Sequence, residues 1–115
     1  MRRPFVCKKE LIFLKQENYA VRVIEWNDTT LVNICDSELV GSVIKDDKIE
    51  MHISKEYFLG EFMGIEGALR EIKRSSIINL TGKRIVKEVL NAKMATEEAV
   101  KTIGSTSILM IFKFS

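Results

Sequence analysis

An α+β domain is expected from three features of the chain. Two β-hairpin signals crowd its first half, amphipathic helical spacing takes over after residue 64, and it closes on a continuous apolar run of the kind found in interior strands. The hairpins and the final strand should build an antiparallel or mixed sheet, with two to three helices packed on it.

Residues 19–26 and 30–35 are rich in Val, Ile, Leu and Thr and flank Asn27-Asp28, a pair that tolerates the positive φ angles of a tight turn. A first hairpin follows. Asp36 is placed to cap a short helical turn over residues 37–40, and Gly41 suits its left-handed exit. Residues 42–45 and 48–54 flank a second turn pair, Asp46-Asp47, and predict a second hairpin. Within it Ile49, Met51 and Ile53 alternate with Glu50, His52 and Ser54, so the sole histidine belongs on the wet face. The aromatic stretch 57–64 reads as a glycine-bent connection.

Ile65, Ala68, Leu69, Ile72 and Ser76 recur at helical spacing, as do Ile85, Val86, Val89 and Leu90. Gly82 breaks or punctuates this helical region, residues 79–82 fit one kinked or continuous helix, and Asn91 is a suitable stop. Thr96 caps a last short helix that Gly104 ends. Residues 107–114 form the closing strand, expected inside the sheet and covered on both faces.

The chain has 115 residues, 46% hydrophobic and 30% charged, with one Pro and six Gly, which is material for a single folded core. Residues 1–18 stand apart as an N-terminal extension or edge segment ahead of one domain over 19–115. Their Phe5-Val6 and Leu11-Ile12-Phe13-Leu14 suit an edge strand or a contact arm. Cys7 and Cys35 are too few for a disulfide framework or a four-ligand zinc site. With no signal-peptide core and no run of 18 apolar residues, a cytoplasmic protein without membrane contact is expected. Asp36, Glu38, Asp46, Asp47 and Glu50 match no calcium loop and read as caps and turn residues, so neither a metal nor a cofactor is expected.

Three stretches together resemble a small archaeal family, the domain of unknown function 424. They are Cys35-Asp36-Ser37-Glu38-Leu39-Val40-Gly41, Tyr57-Phe58-Leu59-Gly60-Glu61 and Ile78-Asn79-Leu80-Thr81-Gly82-Lys83-Arg84-Ile85-Val86. The resemblance runs from about Tyr19 to the C-terminus and implies an archaeal, cytoplasmic protein, with no reaction attached. Members often carry a histidine in the glycine-containing stretch before the last strand. Here that stretch reads Gly104-Ser105-Thr106-Ser107.

Charge supplies the functional expectation. Residues 1–68 hold nine Lys or Arg against twelve Asp or Glu, net −3, whereas residues 69–115 hold nine against four, net +5. Arg70, Lys73, Arg74, Lys83, Arg84 and Lys87 would form one basic helical surface if their helices pack side by side, and such a surface neutralises phosphates. The leading expectation is therefore a non-catalytic binding protein whose partner is RNA or a ribonucleoprotein. The alternative is a protein-contact or homodimeric module using Tyr57, Phe58 and Phe62. A third reading is an enzyme acting through Cys35 or His52, which requires these groups to meet in one concave site.

Overall fold

The computed structural model describes residues 18–113; the extension at residues 1–17, with its expected edge strand or arm, lies outside the described residues. β1 (Tyr19–Trp26) and β2 (Thr29–Asp36) form the first hairpin, and Asn27 and Asp28 adopt φ values of 50° and 63°. Two successive positive φ angles give a turn whose twist matches that of the flanking strands. A three-residue 3-10 turn, Ser37–Leu39, leads to Gly41 at φ 91°. β3 (Val43–Lys45) and β4 (Glu50–His52) make the second hairpin, where Asp46 Oδ1 accepts the backbone N–H groups of Lys48 and Ile49.

The stretch expected as an open connection is more ordered than its glycines suggest. It contains a one-turn helix α1 (Lys55–Phe58), capped when Ser54 Oγ accepts the Tyr57 N–H, and a short strand β5 (Glu61–Met63). Helix α2 (Ile65–Arg74) follows as its spacing predicts. Lys113 closes its C-terminus by donating from Nζ to the carbonyls of Ile72 and Lys73, at 2.6 and 3.0 Å.

The next segment corrects the helical expectation. Residues 79–82 are neither a kinked nor a continuous helix: β6 (Ile77–Thr81) is a strand, and Gly82 separates it from α3 (Lys83–Asn91). Ile78 and Leu80 are completely buried toward the helices, and β2 and β8 flank β6 on its two edges. Asn91 is still helical, and the left-handed residue beyond the helix is Lys93 at φ 61°. The last helix shrinks to a 3-10 turn, Glu97–Ala99, and the residues after it form β7 (Lys101–Ile103), which pairs with β8 (Thr106–Phe112).

The main sheet has the order β5-β1-β2-β6-β8-β7, with β2 and β6 parallel and every other pair antiparallel. The protein is thus an α+β fold with a mixed sheet, as expected. One face, built on Val21, Val32, Ile34, Ile78, Leu80 and Leu109, carries α2 and α3 through Ala68, Ile72, Ile85, Val86 and Val89. The second face carries a smaller layer, the β3–β4 hairpin and α1, over Ala20, Cys35 and Ile103. That layer covers only the end of the sheet where β2 and β6 finish.

Candidate contact surface

The carboxyl ends of the two parallel strands, a usual place for ligands in α/β sheets, are filled by the protein itself. Asp36, at the end of β2 and buried, accepts the Arg84 N–H at 3.0 Å and the Ile85 N–H at 2.9 Å, supplying the negative charge that the first turn of α3 lacks. Gly82 makes room for it. At φ 125° a Cβ there would sit 2.4 Å from the Asp36 carboxyl carbon. Burial nonetheless pushes the Asp36 carboxyl above its ordinary range, outweighing the two amide hydrogen bonds that pull it down.

Arg84 turns back over the same corner. Its guanidinium donates to both oxygens of Glu38 and to the Asn18 carbonyl at 3.1 Å, and lies 5.1 Å from the Tyr19 ring centroid. The Arg84 hydrogen bond holds Glu38 below the usual carboxylate range. Cap, glycine and ion pair therefore form a structural clasp that joins residues from two of the stretches singled out in the sequence.

The six basic residues do not converge. Arg84 is spent on Glu38, whereas Lys83 and Lys87 line a groove of about 510 Å³ together with Asn91, Glu97, Val100 and Ser107, on the side of α3 toward β8. Arg70, Lys73 and Arg74 are exposed on α2, which lies across β1 and β2. Two residues separate the end of α2 from the start of β6, and Gly82 alone separates the end of β6 from the start of α3. Lys73 and Arg74 thus sit at the opposite end of the helical layer from Lys83 and Arg84, and Arg74 reaches Glu71 on its own helix.

The aromatic candidates divide as well. Phe58 is buried in the smaller core, Tyr57 is half exposed and stands edge-on to it at 5.3 Å, and Phe62 is exposed on β5. The groups of the enzyme reading are equally separate. Cys35 is fully buried, its thiol pushed up to about 12, first by burial and then by the neighbouring Asp36 charge. His52 lies in solvent on β4, its Nε2 3.1 Å from Glu50 Oε2. Among the described residues no three metal-ligating side chains cluster.

What sequence spacing did not reveal is the incompletely covered half of the second face. Strand registers align Ile24, Leu31, Ile77 and Phe112 in one row across four strands, with Trp26 opposite Thr29 beyond it and Met110 beside Asn79 before it. Trp26, Met110 and Phe112 are 73%, 52% and 51% exposed. The expectation that the final strand is covered on both faces therefore fails at its end, because the β3–β4 layer stops short. A pair of asparagines marks the boundary. Asn33 Nδ2 donates to the Tyr57 carbonyl at 3.2 Å, Asn79 Nδ2 donates to Asn33 Oδ1 at 2.9 Å, and Asn79 Oδ1 is buried without a partner among the described residues. Among the described residues the outer edge of β1 is paired only at Tyr19, Ala20 and Val21, by β5.

Comparisons place the chain without assigning it a role. No curated protein matches it. A solved structure, that of an uncharacterized conserved protein from Methanopyrus kandleri, shares the fold at a TM-score of 0.72 and 20% identity, covering 84% of this chain and 94% of that one. Among the described residues no helix is long and apolar enough to cross a membrane. Residues 24–114 match the family described as protein of unknown function DUF424, so the chain belongs to that family.

Proposed function

We propose that this protein is a non-catalytic binding module whose working surface is the open half of the sheet's second face, and that this surface takes an extended apolar segment of a protein. The observation that carries the reading is the cross-strand row Ile24, Leu31, Ile77 and Phe112, its first three members half-buried and Phe112 exposed, with the exposed Trp26 and Met110 beside it on the same face. Large exposed apolar groups on one sheet face favour association, and aromatic anchors concentrate its energy. Beyond Val21 the outer edge of β1, unpaired among the described residues, offers main-chain hydrogen bonds to a strand laid beside it.

The expectation of RNA contact has weaker support. Phosphate tracking needs a continuous cationic surface, and Arg84 is already paired with Glu38, while Lys83 and Lys87 line one groove beside β8 and Lys73 lines another with Met94, Ile111 and Lys113. Site-specific photo-crosslinking separates the readings. A photoreactive residue in place of Phe112 or Trp26 should give protein adducts in a lysate of the source cells, which a Met110→Asp change abolishes. The same group at Lys73 or Lys87 should give no RNA adduct. RNA adducts at 73 and 87, with none of protein at 26 and 112, would overturn the proposal.

A further inference from the structure

The helical layer stops before the sheet does. Helix α2 lies over β1 and β2, and α3 lies over β2, β6 and β8. The last strand, β7, turns Thr102 to the same side, opposite Ser107, and leaves it exposed. We infer that the groove along this outer margin of α3 is a second contact site, separate from the open half-face, and that it takes an acidic amphipathic helix of a partner protein.

The groove, about 510 Å³ in volume, follows α3 along its length. Lys83, Val86, Lys87, Leu90 and Asn91 recur at the spacing of one helix face and form its first wall. From residue 83 to residue 91 the helix rises about 12 Å, enough for roughly two turns of a helix laid alongside. Glu97 and Val100, in and just after the 3-10 turn, form the facing wall. Ser107 lies at the Lys83 end, where its carbonyl accepts the Gly82 N–H at 2.8 Å.

The lining selects the occupant. Lys83 and Lys87 are exposed, stand one turn apart and make no ion pair among the described residues, in contrast to Arg84 between them. Two exposed lysines hold a free anion weakly, because water and salt screen them. Half-buried Leu90 and Val100 add apolar contact for a ligand that can use it. A polynucleotide backbone brings charge but no apolar side chains, and it would meet the Glu97 carboxylate on the facing wall. A helix with carboxylates on one flank of an apolar stripe satisfies both halves of the groove: its acids meet the lysines, and its stripe meets Leu90 and Val100.

The probe is a synthetic amphipathic peptide of about 14 residues, long enough to form a helix, with glutamates one turn apart on one flank of a leucine stripe. Titrated into the full-length protein and followed by backbone NMR, it should give saturable shifts confined to residues 83–91, 97–100 and 107. The Lys83→Glu/Lys87→Glu double variant should bind it about tenfold more weakly or worse. That variant should keep the unfolding midpoint of the parent, since both side chains are exposed and position 83 opens the helix, where negative charge is favourable. A peptide with lysines in place of the glutamates should bind the double variant and not the parent. Absence of saturable binding would overturn the inference, as would shifts outside the groove or equal binding of both peptides by the parent. So would inorganic phosphate or a single-stranded RNA oligonucleotide moving the same resonances at lower concentration than the acidic peptide. Each of these results leaves the adducts at positions 26 and 112 untouched, so the groove and the open half-face stand or fall separately.

Discussion

The two ends of the sheet's second face are built from the same strands to opposite effect. At the end where β2 and β6 finish, Ala20, Cys35 and Ile103 lie under Ile44, Ile53 and Phe58, and the Asp36–Gly82–Arg84 clasp ties β2 to α3. At the end where they begin, Leu31 and Ile77 are half-buried and Phe112 is exposed, and neither the β3–β4 hairpin nor α1 packs on them. Coverage, not strand composition, separates a core from a contact surface.

Substitutions can sharpen this contrast, beginning at the clasp. Gly82→Ala forces a Cβ against the Asp36 carboxyl at a φ that L-residues rarely adopt, and should destabilise the fold by about 3 kcal/mol or more in urea unfolding. Leu80→Ala, in the buried centre of β6, should cost about 3 kcal/mol by loss of packing. Asp36→Asn exchanges one acceptor for a donor facing a backbone N–H, and should cost about 2 kcal/mol near neutral pH.

The pH dependence of that cost has a defined sign. Because folding raises the Asp36 carboxyl pKa, its protonated form is favoured in the folded state. The stability it contributes is full below the ordinary aspartate value and is lost as pH rises through the raised one. Asp36→Asn should remove that loss from the stability profile. Glu38 runs the other way: its contribution is present above the ordinary glutamate value and is lost as pH falls through its lowered pKa. Glu38 is solvent-exposed, so Glu38→Gln should give a small effect that salt diminishes. At the open end Phe112→Ala should change stability by no more than about 0.5 kcal/mol, because the ring has little to lose.

Local turn chemistry made the hairpins legible. Asn27-Asp28 and Asp46-Asp47 announce their turns within four residues of sequence, and the α2 spacing announces its buried face. β6 was not legible, because its alternation, Ile78-Asn79-Leu80-Thr81, is only four residues long between two helical patterns and its strand state depends on β2 and β8, which come from distant parts of the chain. Asp36 looked like a cap for the turn that follows it, and its real partners are amides 48 and 49 residues away. Helical spacing correctly put Lys83 and Lys87 at the surface, but it could not say on which side of α3 or that Arg84 would meet Glu38. The contact row is assembled by register from four strands, and its only local trace is the alternation that exposes Met110 and Phe112.

The central claim, that the open end serves contact and not stability, is tested most directly by Phe112→Asp in the full-length chain, measured for unfolding free energy and for the yield of protein adducts from a photoreactive group at position 26. The account predicts stability within about 0.5 kcal/mol of the parent together with loss of the adducts. A large loss of stability, with adduct yield falling only in proportion to the unfolded fraction, would contradict it.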